Sequence, residues 1–279
     1  VSFASLVTTP ATVSAQPTSV GSGSAHTKGA WAEAFASLAA PIDGLTVRGV
    51  NIESGGSTRH SFLLDVGVGA AGSETVVCAD IPLMLTTSLS AAEGVSRGEI
   101  VLPLALPRGT RVAVRHAANV ASTDVLWHMA GTVRAGVLPV GLRRTATYGI
   151  DSAATLPTAL MCDTNGSGSL TGFGAWVEYV ASAPFAVRAV MLTASRNPSA
   201  NVASHTYAVR VGVGAASSEV PVLEHVYRNN SNTSGAVIIA PLGTTPLLIP
   251  QGRRISLAVA ANTNNANARQ QGFALHLFG

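Results

Sequence analysis

Two pairs of carboxylates recur at matched places in the two halves of this 279-residue chain, Glu33 with Glu178 and Glu74 with Glu219. Two carboxyl groups held about 5–9.5 Å apart can hydrolyse a glycosidic bond, one as acid and the other as base or nucleophile. The plainer expectation is that a duplicated pair satisfies backbone donors at a strand end or meets a surface arginine. His60 and His205 also recur, but neither has a second His or Cys beside it at metal-ligand spacing. They are expected at strand rims, hydrogen-bonded to backbone. Trp31 and Trp176 could stack against a sugar; a single Trp at the same register of each half is instead expected to anchor a core or an interdomain contact.

The remaining catalytic signatures are missing. There is no nucleophile elbow, phosphate loop, zinc motif or dinucleotide fingerprint. The Gly-rich run from Gly67 to Glu74 leaves a strand without entering a helix, so it offers no helix dipole to a phosphate. No catalytic, cofactor-binding or metal-ligating residue is assigned, no cofactor is implied, and the chain is expected not to be an enzyme.

What positions these residues is a repeat, which has to be sought before any local pattern. G-S-G-S at Gly21 to Ser24 returns at Gly166 to Ser169, and G-A-W at Gly29 to Trp31 returns at Gly174 to Trp176. V-G-V-G-A-A-G-S-E from Val66 to Glu74 matches V-G-V-G-A-A-S-S-E from Val211 to Glu219. L-P-R-G-T-R-V-A-V from Leu106 pairs with I-P-Q-G-R-R-I-S-L from Ile249, and W-H-M-A-G (Trp127 to Gly131) with L-H-L-F-G (Leu275 to Gly279). Phe3-Ala4 aligns with Tyr148-Gly149. The expected division is a first repeat over 1–131, a connector over 132–145 and a second repeat over 146–279.

Within each repeat the apolar period is two. Phe62, Leu64, Val66 and Val68 alternate with Ser61, Leu63, Asp65 and Gly67; Tyr207, Val209, Val211 and Val213 alternate with Thr206, Ala208, Arg210 and Gly212. That is strand alternation, and it fixes which face is core. Pro107-x-Gly109 and Pro250-x-Gly252 mark turns before further alternating strands. More strands are expected near 30–38, 45–53, 74–81, 98–105 and 124–131, and near 175–183, 186–194, 219–227, 236–241 and 271–278. The fold class that follows is all-β: two tandem duplicated antiparallel β-sandwich domains, jelly-roll-like. An immunoglobulin-like sandwich is second, since the Cys and Trp spacing of that fold is missing.

Composition sets the outer bounds. Charged residues make up 11% and apolar ones 47%, with aromatics at 5%, which implies a small-residue core under a weakly charged surface. The formal charge of +3 comes from arginines and the single Lys28, scattered rather than clustered, so no specific nucleic acid partner is expected. The apolar runs are too short for a membrane helix, and no secretory signal is expected at the N-terminus. Cys78 and Cys162 fall at unmatched places in the repeats, so both read as free, buried thiols.

These motifs together resemble a repeat in virion proteins of tailed bacteriophages. The resemblance is carried by Tyr148, Gly149, Gly174 to Trp176, Glu178, Val211 to Glu219, Pro250 to Arg254 and Leu277 to Gly279. The first copy departs from it at Phe3-Ala4 and Met129-Ala130. It implies a structural role in the particle as a capsid decoration, head-spike or tail-associated protein, made in the host bacterial cytoplasm and located in the virion. The implied partners are other virion proteins, capsid or tail subunits, and further copies of the chain, with a trimer expected by analogy with phage jelly-roll proteins. A host-surface or carbohydrate-binding module, with a host glycan as ligand, is the alternative. Asp65 and Arg210, equivalent positions of opposite charge, are expected on outward faces as partner-contact residues, where charge reversal would leave the melting temperature nearly unchanged.

Overall fold

The computed structural model describes residues 13–52, 59–86, 99–132, 144–151, 158–196, 205–229, 240–265 and 270–279. The described chain is all β. The first half contributes β1 (Val13–Ala15), β2 (Thr18–Ser19), β3 (Ala32–Phe35), β4 (Gly44–Ile52), β5 (Arg59–Val68), β6 (Thr75–Thr86), β7 (Glu99–Leu102), β8 (Val112–Ala118) and β9 (Val125–Thr132). The second half contributes β10 (Thr145–Tyr148), β11 (Ile150–Asp151), β12 (Thr158–Asp163), β13 (Val177–Val180), β14 (Val187–Arg196), β15 (His205–Val213), β16 (Val220–Asn229), β17 (Ala240–Ile249), β18 (Ile255–Ala261) and β19 (Gln270–Phe278).

Four antiparallel sheets result. In the first half their orders are β1-β9-β4-β7, with β2 also on β9, and β3-β8-β5-β6. In the second half they are β11-β12-β19-β14-β17, with β10 also on β19, and β13-β18-β15-β16. When β1 and β2 are taken as one interrupted strand, and β10 and β12 with the β11 hairpin between them as another, each half has its first, eighth, third and sixth strands in one sheet. The second, seventh, fourth and fifth form the other. That interleaving is the double Greek key of a jelly roll.

Alternation decides the faces. β9 buries Val125, Trp127 and Met129 and leaves Leu126, His128 and Ala130 part-exposed, as a sheet with one solvated face should. The turns before β8 and β18 are built alike: Thr110 N–H bonds the Pro107 carbonyl and Arg253 N–H that of Pro250. The third residues, Gly109 and Gly252, take φ of 83° and 81°. A type II turn needs a positive φ there, which glycine supplies without strain.

The apolar interior forms two clusters, but they do not divide at the sequence boundary. Ala189, Met191 and Phe278 of the second half belong to the cluster built by the first half, while their neighbours Val190, Leu192 and Leu277 face the second. β19 is therefore buried on both sides from Gln271 to Phe278.

The strands expected from sequence lie where periodicity put them, except that the one near 236–241 runs over Ala240–Ile249. β1, β2 and β10 to β12 fall in segments without a clear alternation. Thr132 and Thr145 close and open strands; 133–143 between them, like Phe3 and Ala4, lie outside the described residues. Register also corrects one alignment: Val47 pairs with Met129 and Leu192 with Leu275, so Met129 corresponds to Leu275, not to Leu277 as the motifs suggest. The slip is two residues, and parity survives it.

Candidate functional site

The four recurring carboxylates meet two recurring arginines. Arg111 donates from Nε to Glu33 Oε2 at 2.7 Å and from Nη1 to Glu74 Oε1 at 2.8 Å. Arg254 repeats this with Glu178 Oε2 and Glu219 Oε1, both at 2.5 Å. In each half a strand preceding the core edge supplies the outer glutamate, the turn after Pro supplies the arginine, and the start of the fifth jelly-roll strand supplies the buried glutamate. Glu219 lies below the usual carboxylate range because Arg254 bonds its ionised form. For Glu74, burial pushes upward, but the Arg111 bond and backbone donors outweigh it and the net shift is down. A glycosidase needs one carboxyl raised so that it holds its proton at neutral pH; these buried members are shifted the other way. The arginines recurred in the P-x-G-x-R motif, which was the available signal for this clasp.

Trp31 and Trp176 are neither core residues nor members of either apolar cluster. Each lies, half-buried, across a glycine on the outward face of a central strand. A Cβ on Gly67 would come within 2.7 Å of the Trp31 ring, and one on Gly212 within 2.7 Å of Trp176. Glycine is required at both positions because the indole occupies the space a side chain would take. The Arg115 guanidinium stands 4.5 Å from the Trp31 ring centroid.

Asp65 is not at the surface. It is 3% exposed, and its carboxylate accepts from Lys28 Nζ at 2.7 Å, Arg115 Nε at 2.9 Å and Asp80 N–H at 2.9 Å. Lys28 also donates to the Leu63 carbonyl at 2.9 Å and pairs with Asp80 at 2.9 Å. The expectation of an outward, partner-contacting Asp65 fails because parity locates a face but does not show whether another segment crosses it. Here the 28–31 segment does. Arg210 is half-exposed, pairs with Glu224 at 2.7 Å and stacks 3.7 Å from the Phe173 ring centroid. Since Phe173 aligns with Lys28, both ends of the contact changed together.

A buried Ser–His contact has no motif that announces it. Trp127 Nε1–H donates to Ser19 Oγ, Ser19 Oγ lies 2.6 Å from His116 Nδ1, and His116 Nε2 lies 2.8 Å from the Thr123 carbonyl. Since the carbonyl can only accept, Nε2 carries the proton and Nδ1 accepts from the serine hydroxyl. Burial lowers the His116 pKa and keeps the ring neutral. Ser19, His116 and Trp127 are all solvent-inaccessible, and no carboxylate orients the ring, so the chain is a satisfied polar network inside the core rather than a nucleophile and base.

His60 is buried with neither ring nitrogen bonded among the described residues, and His205 Nε2 is likewise unbonded, so the expected backbone bonds are not made there. Cys78 and Cys162 are free and buried. Burial pushes both thiols up, Cys162 to about 12, so neither is a thiolate at neutral pH. Among the described residues no three His, Cys, Asp or Glu side chains gather as a metal site, and no helix is long and apolar enough to cross a membrane.

With the recurring carboxylates and arginines paired internally, the outstanding surface feature among the described residues is apolar. On the second half Val220, Val226 and Leu248 are 63%, 58% and 72% exposed, beside Val222. Known proteins add little. No protein family and no curated protein matches the chain. Among solved structures, the infectious bursal disease virus VP2 subviral particle is similar at a TM-score of 0.26 and 10% identity, over 96% of this chain and 72% of that one. The structure of the Gt strain of infectious bursal disease virus gives 0.26 and 12%, over 96% and 70%. The insecticidal delta-endotoxin Cry8Ea1 of Bacillus thuringiensis gives 0.26 and 10%, over 95% and 52%. Scores this low leave fold and function to be read from the chain itself.

Proposed function

We propose that the chain is a non-enzymatic structural protein of a bacteriophage virion, a capsid decoration, head-spike or tail-associated component, made of two copies of one jelly-roll domain and assembling through protein–protein contacts. The observation that carries this is the exposed valine row of β16, Val220, Val222 and Val226, broken by Glu224, whose charge Arg210 pairs. An aliphatic, weakly charged surface costs little to desolvate and suits repeated contact between subunits. The sequence resemblance supplies the phage context. The internal pairing of Glu33, Glu74, Glu178 and Glu219 supports a role for them in stability rather than hydrolysis.

Mass spectrometry and electron microscopy of washed native particles test this reading. The expected result is stoichiometric recovery of the chain and a density with ordered protein neighbours. Recovery only in the lysate, with none in particles, would overturn it.

A further inference from the structure

The first sandwich is sealed along one flank by the second half. β6 and β7 are the last strands of their sheets on the same side. β10 runs beside β6 and β17 beside β7. Thr145 and Thr147 donate from Oγ1 to the carbonyls of Val77 and Ala79 on β6, and Ala189, Met191 and Phe278 complete the apolar cluster behind them. Under that seal the inward side chains of β6, Cys78, Ile81 and Leu83, are fully buried.

The equivalent flank of the second sandwich lies between β16 and β17, and among the described residues no strand is hydrogen-bonded to the free edge of either. Leu223, His225 and Tyr227, which occupy the places of Cys78, Ile81 and Leu83, are only half-buried. Val222 and Leu248 at its rim are exposed. Conversely, the face that makes the seal, the outward side of β19 and β14, has a counterpart that makes no such seal among the described residues. It is the outward side of β9 and β4, where Thr46, Arg48, Leu126, His128 and Ala130 are part-exposed.

We infer that a second copy of this chain seats the outward β4–β9 face of its first half on the open β16–β17 flank, repeating between chains the seal made within one. The occupant is specified by the chain itself, since an equivalent face already covers the equivalent flank. The contact is heterologous, head to tail, and successive copies close into a ring where the rotation permits and extend as a filament where it does not. This deepens the assembly reading above and rests on it for biological setting.

Light scattering on the purified full chain over a range of concentrations reads the association. Val222→Glu puts a charge on the flank and Thr46→Glu on the opposing face. Each is expected to raise the dissociation concentration about a hundredfold, since an unpaired charge would be buried, while circular dichroism melts stay close to the parent. Mixed together, the two variants retain one intact flank and one intact face and are expected to form a 1:1 dimer and nothing larger. Val226→Glu and Ala130→Glu replace either variant that fails to fold. A parent chain that is monomeric at every concentration, oligomers that survive both substitutions, or a mixture that stays monomeric would each overturn the inference. Head-to-tail association of a chain missing from washed particles would overturn the virion reading and leave this contact standing; a chain present in particles with an uncovered β16–β17 flank would do the reverse.

Discussion

Beneath β9 in the first half lies a polar chain, Trp127 to Ser19 to His116 to Thr123. The corresponding place in the second half is nearly apolar. Gly29 N–H bonds the His116 carbonyl and Gly174 N–H that of Val259, so His116 corresponds to Val259; register makes Phe273 the counterpart of Trp127. Gly29 abuts the Val20 carbonyl and Gly174 that of Asp163, so Ser19 corresponds to Cys162. One frame accommodates either filling, because a buried network with every donor paired and a packed apolar contact both avoid an unsatisfied polar group. A mixture of the two would not.

The outward faces diverge the same way, in matched sets. Asp65 with Lys28 and, on β8, Arg115 becomes Arg210 with Phe173 and, on β18, Ala258, and Arg210 pairs instead with Glu224 on β16. The largest expected effect breaks this comparison. Asp65→Asn removes the charge that two cations share in a buried site and should cost about 3 kcal/mol. Arg210→Gln, half-exposed with an exposed partner, should cost under about 1 kcal/mol. Urea unfolding of both variants checks the ratio; equal costs would mean that the burial difference has no energetic weight.

A second contrast lies between His128, on the part-exposed face of β9, and His276, on the sealed face of β19. Burial pushes His276 down to about 3, and Thr147 at 3.0 Å is its partner. An unfolded histidine takes a proton near pH 6.5, so above that pH both states are neutral and the fold has its full stability. Between about 6.5 and 3 only the unfolded chain gains the proton, and stability falls with pH, by about 2 kcal/mol from pH 7 to 5. His116, also lowered by burial, adds a loss of the same sign. His276→Leu should therefore flatten the dependence of melting temperature on pH between 6.5 and 4 without abolishing it. An unchanged slope would remove His276 from the account.

How far the sequence could be read follows from what alternation encodes. Phe62 to Val68 and Tyr207 to Val213 lie in central strands buried on one regular face, and their period of two located β5 and β15. β1, β2 and β10 to β12 are short edge segments such as Val13–Ala15, with too few residues to show a period. The glutamates, arginines, tryptophans and glycines of both clasps recurred visibly, but a recurrence does not say which residue touches which. Asp65 was misjudged because the covering Lys28 lies 37 residues away, and the Ser19–His116–Trp127 chain was illegible because its members come from three distant strands.

A smaller contrast sits in the turn before the fifth strand of each half. Gly72 has φ of 80°, and Ser217, its counterpart, is held at 65°. A residue with a Cβ is disfavoured in that region by about 1 kcal/mol or slightly more. Ser217→Gly should stabilise the chain by up to about 1 kcal/mol and Gly72→Ser should cost a similar amount, as read by thermal unfolding. Opposite signs of equal size would show the two turns to be interchangeable.

The smallest effects are expected where the halves agree. Glu33 and Glu178 are the outer members of the clasps, each 48% exposed at the side chain and each bonded to the Nε of its arginine. The inner members, Glu74 and Glu219, are buried and remain on Nη1 whatever the outer position holds. Removing the outer charge therefore leaves each guanidinium paired, and solvent takes up what is lost, as at most exposed ion pairs. Glu33→Gln and Glu178→Gln should each lower the melting temperature by no more than about 2 °C, and by the same amount as each other. The double variant should show the sum, because the clasps share no partner and additivity holds for independent sites. Unequal single shifts would mean that one clasp carries a load the other does not, and the half with the larger shift is where a function beyond stability should then be sought.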